Sequence, residues 1–140
     1  MFLRSLIATA LVAAAPAVAA ADTQRWAGDG FVVTATTAEQ PVAGAPVGVR
    51  LELTPSGGYK VNEEYPIAVE IVAPADVAAA KTKLGKADAS VRHERAAFQL
   101  TLTPRTAGAK VVALKLRFAL CTDATCEPRK HAVDLKLDVK

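Results

Sequence analysis

Two cysteines, Cys121 and Cys126, are separated by four residues inside the segment LRFALCTDATCEPRKHAVDLKL. Thiols at such a spacing can close a structural disulfide, exchange disulfides with a partner, or bind a soft metal ion. A loop of about six residues makes a weak staple, because the chain-entropy model gives it ~2 kcal/mol against ~4.7 kcal/mol for a 100-residue loop. A bridge at an exposed tip is also accessible to an attacking thiol. The residues alone therefore leave a local staple and a redox-active pair as open alternatives.

A metal site is the third alternative. Cys121, Cys126 and His131 are spaced five and five residues apart and form a soft ligand set suited to zinc or copper(I). A closed zinc site needs four ligands, and the remaining candidates are His93 and Met1. We therefore expect no metal and no other cofactor.

Charged residues follow the second cysteine. Arg129 and Lys130 are cations that would favour a thiolate, whereas Asp123 and Glu127 oppose it. If the pair exchanges disulfides, Cys126 is the expected attacking thiol because of these two cationic neighbours.

Alternation of apolar and polar residues surrounds the cysteines and predicts strands that each bury one face. Six such runs are clear, at residues 31–37, 47–55, 66–74, 95–104, 110–121 and 131–140. Turn-forming residues separate them, which predicts an all-β, immunoglobulin-like sandwich of about seven antiparallel strands. Residues 76–91 fit a short helix or one or two short strands, and we favour strand plus loop because a seventh strand completes the sandwich.

The first 21 residues predict a cleaved signal peptide. Arg4 precedes an apolar run, Leu6–Ala15, and Pro16 is followed by small residues suited to cleavage after residue 19, 20 or 21. The apolar run is shorter than the ~20 residues that span a membrane. We therefore expect a periplasmic domain over residues 22–140, with no membrane span in the mature chain and with its cysteines oxidised to each other.

Charge excludes some functions. One of the 17 basic residues, Arg4, lies in the predicted signal. The mature chain therefore has 16 basic and 14 acidic residues, a net charge of only +2. Basic residues are scattered among acidic ones rather than clustered with aromatics, which argues against nucleic-acid binding. No Ser/His/Asp pattern or paired-carboxylate cleft indicates a hydrolase. We expect a monomer.

The loop GGYKVNEEYP, residues 57–66, is a second candidate feature. In one interpretation, its tyrosines pack on the sandwich edge with their hydroxyls in water. In the other, Tyr59, Asn62 and Tyr65 belong to a loop that covers the cysteines or contacts a partner.

Taken together, the secreted sandwich, the turn GGYKVN followed by Pro66, and the terminal CTDATC hairpin resemble the N-terminal periplasmic domain of the thiol:disulfide interchange protein DsbD and related disulfide-corrector-like domains. The resemblance spans roughly residues 30 to 140. It implies that Cys121 and Cys126 are a redox pair, that the loop from Tyr59 to Tyr65 is a cap or partner surface, and that the partners are periplasmic thioredoxin-like or disulfide-exchange proteins. The chain would then be a component of protein-disulfide reduction. The competing hypothesis is a non-catalytic binding or structural sandwich whose disulfide only fixes the hairpin loop.

Overall fold

The computed structural model describes residues 10–14 and 22–140, and the fold is built from the second range. Eleven strands lie in these residues: β1 (Asp22–Gly28), β2 (Phe31–Thr37), β3 (Val47–Pro55), β4 (Lys60–Val61), β5 (Ala68–Val72), β6 (Val77–Ala79), β7 (Lys83–Leu84), β8 (Ala89–Arg92), β9 (Arg95–Pro104), β10 (Gly108–Cys121) and β11 (Cys126–Val139). One 3₁₀ turn, Lys86–Asp88, precedes β8.

The strands form two antiparallel sheets. The first sheet has the order β1-β2-β3-β9-β6, with β8 also paired to β9. The second has the order β11-β10-β5-β7, with β4 also paired to β10. Each sheet turns one face inward, because alternate residues of a strand point to opposite sides. The predicted all-β, immunoglobulin-like sandwich is thereby confirmed, with eleven strands in place of about seven.

The core lies between the sheets and is aliphatic apart from three phenylalanines, Phe31, Phe98 and Phe118. Strand β10 contributes five of its residues at every second position, Val112, Leu114, Leu116, Phe118 and Leu120, all nearly inaccessible to water. Phe118 meets Phe31 of the first sheet edge to face, with ring centroids 5.0 Å apart. Burial of this apolar stripe is the main force that holds the long β10–β11 hairpin against the first sheet.

Several predicted strand boundaries were wrong. Strand β11 begins at Cys126 rather than at residue 131, so Glu127 and Pro128 belong to the strand. Strand β1 was not predicted; its Trp26 packs partly buried against the core. In the segment 76–91, strand plus loop is confirmed, with β6, β7 and most of β8.

The predicted signal peptide lies largely outside the described residues. Residues 10–14 form neither helix nor strand, and the described fold begins at Asp22. No helix in the described part of the chain has the length and apolarity needed to cross a membrane. The division into a signal peptide at 1–21 and a domain at 22–140 stays a prediction.

Candidate functional site

Cys121 and Cys126 form a disulfide at the tip of the β10–β11 hairpin. Cys121 ends β10, Cys126 begins β11, and the two residues are directly opposite each other in the antiparallel register. Their Cα atoms are 4.0 Å apart. The bridge therefore closes the four-residue loop 122–125, and the expectation that the cysteines are oxidised to each other is confirmed. Such a bond is compatible with an extracytoplasmic location.

The loop has a hydrogen-bond network that does not involve sulfur. The Thr122 N–H donates to the Thr125 carbonyl at 2.8 Å. The Thr122 hydroxyl oxygen accepts from the Thr125 N–H at 3.2 Å and from the Ala124 N–H at 3.3 Å. A turn held in this way, at the end of a 14-residue ladder, keeps its shape with limited help from the disulfide.

Both cysteines lie on the outer face of the second sheet. Leu120, the neighbour of Cys121, is buried in the core, so the alternation of the strand turns Cys121 outward. Cys126 is exposed, whereas Cys121 is half-buried. The more accessible residue of the pair is therefore Cys126.

A lysine lies beside the disulfide on the other side of β10. Strand β4 pairs with β10 so that Lys60 is directly opposite Cys121. Cys126, Cys121 and Lys60 therefore form one row across three strands, and opposite side chains in such a row have Cβ atoms about 4.5–5.5 Å apart. Sequence reasoning placed Lys60 inside the candidate loop but did not single it out, because this contact spans 61 residues of sequence.

The loop after β4 leaves the sheet beside the disulfide. Val61 is paired with Leu120, and Ala68 with Arg117. The segment from Val61 to Ala68 advances by seven residues, whereas the facing segment of β10 advances by only three. Four extra residues, 63–66, are therefore left outside the ladder. The segment 63–66, here termed the side loop, contains Tyr65 and bulges from the edge next to Phe118 and Ala119 of β10.

Hydrogen bonds fix the base of the side loop. The Asn62 N–H donates to the Ala119 carbonyl at 2.9 Å, and the Asn62 side-chain oxygen accepts from the Glu64 N–H at 3.0 Å. The His93 Nδ1 donates to the Val61 carbonyl at 3.2 Å, and its Nε2 is 3.6 Å from a carboxylate oxygen of Glu63. Asn62, singled out from the sequence, therefore fixes the side loop, because it hydrogen-bonds both to the backbone of β10 and to the backbone of the loop itself.

Ala119 is covered although it lies on the outer face. Its neighbours Phe118 and Leu120 point into the core, so its methyl group points outward, yet only 2% of the residue is accessible. Pro128 lies directly opposite on β11, and on the other side Asn62, at the base of the side loop, donates to the Ala119 carbonyl. We attribute the burial of Ala119 to these two neighbours.

Tyr59 lies under the hairpin, at the end of the sandwich. A Cβ atom at Gly30 would be 2.5 Å from the Tyr59 ring, which shows how closely the ring packs on the β1–β2 turn. The Arg129 guanidinium lies 5.5 Å from the centroid of the same ring. Tyr59 thus ties the start of β4 to both sheets, whereas Tyr65 is half-buried in the side loop.

Arg129 does not serve the cysteines as expected. It is paired with the buried Phe118, so it points to the inner side of the sheet, away from Cys126. Its guanidinium donates to the Asp29 carbonyl at 2.6 Å and to the Glu127 carboxylate at 2.8 Å. The hydrogen bond to Glu127 is the main reason that the pKa of Arg129 is raised. Arg129 is therefore a bridge between the sheets.

His131 is also on the inner side, so the three candidate metal ligands do not meet. Its ring meets the Phe31 ring edge to face at 5.0 Å, and its Nε2 is buried without a hydrogen-bond partner among the described residues. Both cysteine sulfurs are bonded to each other. No three His, Cys, Asp or Glu side chains of residues 22–140 converge as a metal-binding group.

Comparisons with known proteins give matches among the solved structures. Neither the protein-family models nor the curated proteins match the chain. The chain is similar to the crystal structure of AggA, the major subunit of aggregative adherence fimbriae type I from Escherichia coli, at 11% identity and a TM-score of 0.41. The similarity covers 88% of this chain and 98% of AggA. An identity and a TM-score at these levels assign neither function nor partner to the chain.

Proposed function

We propose that the chain is a periplasmic thiol–disulfide exchange domain that uses Cys121 and Cys126. The observation that carries the proposal is the position of the disulfide. It is accessible at Cys126, on the outer face of a hairpin tip that the β10–β11 ladder and the Thr122 network already hold together. Because this disulfide adds little to stability, disulfide exchange explains its presence better than a structural role does.

The exchange begins at the exposed sulfur. A partner thiolate attacks Sγ of Cys126, the Cys121–Cys126 bond breaks, and a bond forms between the partner sulfur and Cys126. The electron pair leaves on Sγ of Cys121 as a thiolate. A second thiolate of the partner then attacks the partner sulfur of the mixed disulfide, so the partner is oxidised and Cys126 is released. In the reverse direction Cys126 is the attacking thiol, as the sequence predicted, although accessibility and not Arg129 is the reason.

Lys60 and the side loop complete the proposed site. The Lys60 ammonium, opposite Cys121, favours the thiolate that leaves from that residue. The side loop with Tyr65, fixed by Asn62, restricts access to Cys121 and leaves Cys126 as the point of attack. A redox pair with a covering loop is what the resemblance to the DsbD N-terminal domain implies. The matching partners are thioredoxin-like or other disulfide-exchange proteins of the periplasm.

The reduction potential of the pair tests the proposal. The purified domain, residues 22–140, is equilibrated in glutathione or dithiothreitol buffers, and the fraction of free thiols is measured. A value of about −120 to −270 mV, the range of exchange proteins, supports turnover. A value below about −300 mV is typical of structural bridges and would overturn the proposal.

Single cysteine variants assign the roles. Cys121→Ser leaves the exposed Cys126 and should accumulate a mixed disulfide with a small thioredoxin-like partner, whereas Cys126→Ser should accumulate much less. Equal trapping by both variants would contradict the assignment of Cys126. Trapping by neither variant would contradict the exchange reaction itself.

The second candidate function is a non-catalytic binding or structural module. The observation in its favour is that the disulfide closes the loop 122–125 and fixes the shape of an exposed tip. This function predicts a potential below about −300 mV and no reduction by thioredoxin at a concentration that reduces exchange proteins.

A further inference from the structure

Four cations are on the same outer face as the disulfide. Arg117 of β10 and Lys130 of β11 are directly opposite each other in the register. Lys115 occupies the next outward position on β10, and Lys83 of β7 lies outward because its neighbour Leu84 is buried. All four side chains belong to exposed residues. They form the surface termed here the basic face.

The four cations form no ion pair with a described residue, although one acid lies among them. No carboxylate of the described residues lies within 4.0 Å of any of the four cations. One acid, Glu70, lies among them, opposite Lys115 on one side and Lys83 on the other. Like charges directly opposite each other on adjacent strands destabilise a sheet. The Arg117–Lys130 pair is thus unfavourable for the isolated domain and becomes favourable when an anionic group covers it.

The basic face is concave. A depression of about 560 Å³ is lined by the four cations and by one acid, Glu70, so that the cations exceed the acid by three charges. Ala68 and Ala132 line it, and their short side chains leave room beside the long lysine and arginine stems. A carboxylate side chain entering this depression can therefore approach two or three cations at once.

The basic face continues into the disulfide. Arg117 precedes Cys121 by four residues on the same strand and the same face, which is a distance of about 13 Å at ~3.3 Å per residue. Lys130 follows Cys126 by the same number of residues on β11. Lys60 extends the positive charge to the row of the disulfide itself. A protein bound across this face would reach Cys126 with the edge of its contact surface.

We infer that the basic face is the docking surface for the exchange partner, and that the partner carries an acidic patch about 13 Å from its reactive cysteine. This inference rests on the proposed exchange function and adds the chemistry of the partner. Complementary charges of this kind act mainly on association, and they raise its rate by about 10- to 1,000-fold at low ionic strength.

The test uses oxidised domain and short cysteine peptides as probes. One peptide carries four glutamates around its cysteine, one carries four lysines, and one is uncharged. The rate constant for mixed-disulfide formation is measured at low and high salt. The test variant is the double substitution Arg117→Glu/Lys130→Glu. Its matched control is Arg25→Glu/Lys136→Glu, which makes the same change of charge. Both control positions lie outside the basic face: Arg25 is on β1, and Lys136 is six residues beyond Lys130 on β11.

The expected result is that the acidic peptide reacts at least about tenfold faster than the basic peptide at low salt. The difference should disappear in Arg117→Glu/Lys130→Glu and persist in the control. Equal rates for the acidic and basic peptides, or the same loss in both double variants, would overturn the inference while leaving the exchange function intact.

A second measurement separates docking from exchange. An acidic peptide with serine in place of cysteine is titrated into ¹⁵N-labelled domain, and amide shifts are followed. Shifts confined to the basic face support docking. If such shifts occur but no peptide exchanges disulfides, the docking surface stands and only the proposed exchange function fails. Stronger binding at the same face by inorganic phosphate, or by phosphatidylglycerol vesicles, would overturn the inference in favour of a small-anion site or a lipid surface.

Discussion

At the residue scale, the chemistry of the site depends on which charges share a face with the sulfur atoms. Arg129 is near Cys126 in sequence but points into the sandwich, where Asp29 and Glu127 hold it. Lys60 is remote in sequence but lies opposite Cys121 on the outer face. The cation directly opposite Cys121 is therefore provided by strand pairing and not by the local sequence.

Lys60→Met should make the Cys121 thiol less reactive. In the reduced Cys126→Ser background, alkylation by uncharged iodoacetamide at pH 7 should slow by up to about fivefold, because an exposed pair of opposite charges contributes at most ~1 kcal/mol. Lys136→Met, which removes a lysine elsewhere on the outer face, should leave the rate unchanged. An equal alkylation rate in both variants would show that Lys60 does not affect the reactivity of Cys121.

Gly30→Ala should destabilise the domain more than Gly44→Ala. Both glycines have positive φ, 80° and 83°, so both substitutions cost about 1–2 kcal/mol in backbone conformation. Only at Gly30 would the new Cβ meet another side chain, the Tyr59 ring, whereas nothing lies within 4 Å at Gly44. Urea unfolding of the two variants measures the difference, and equal losses would mean that Tyr59 yields without cost.

Asp76→Asn should show a pH-dependent effect on stability. Hydrogen bonds from Lys110 and then Thr106 lower the pKa of Asp76 from 3.8 in the folded state. The ionised carboxylate therefore adds to the free energy of unfolding fully above pH 3.8, and this contribution is lost as the pH falls through the lowered pKa. The gap in urea midpoint between wild type and variant should be constant from pH 7 to about 5 and should close in more acidic buffers. A gap that persists to pH 2 would contradict this account.

At the scale of elements, the side loop is an insertion between two strand segments that pair with the same neighbour. Deleting residues 63–66 would join Asn62 to Ile67 and bring β4 and β5 into one ladder with β10. We expect the fold to be retained and Cys121 to be uncovered, so that dithiothreitol reduces the disulfide several-fold faster than in the wild type. Glu63→Gln/Glu64→Gln, which keeps the loop, serves as the control. An unchanged reduction rate in a folded deletion variant would show that the loop does not shield the cysteines.

Alternation predicted the long strands and missed the short or polar ones. β3, β9 and β10 each contain a long run of alternating apolar residues, so period-two patterning alone reveals them. β1 is largely exposed and polar, and its pairing with β2 rather than its own pattern makes it a strand. β4 has two residues, too few for any periodic pattern.

The candidate site was predicted only in part for the same reason. The cysteines and the loop at Asn62 and Tyr65 lie in recognisable local sequence. The position of Lys60 opposite Cys121, and the four unpaired residues of the side loop, arise from the register between strands that are distant in sequence. A single sequence carries no direct signal of that register.

At the scale of the whole molecule, stability should depend little on the disulfide. The hairpin tip is held by the β10–β11 ladder and by the hydrogen bonds of Thr122, and both remain when the disulfide is removed. Cys121→Ser/Cys126→Ser should therefore lower the free energy of unfolding by about 2 kcal/mol, no more than the mildest core truncations such as Leu→Ala. Urea titrations of the wild type and the double variant measure this value. A loss above about 4 kcal/mol would identify the bridge as a structural staple.

The direct opposition of the cysteines has a kinetic consequence. When a partner is attached to Cys126, the ladder still holds Cys121 at the opposite position, so the free thiol competes with water and other thiols at a very high effective concentration. Each mixed disulfide is then short-lived, and a partner is either oxidised or released within one brief encounter. The wild-type domain would thus serve many partner molecules in succession, each bound covalently for only an instant.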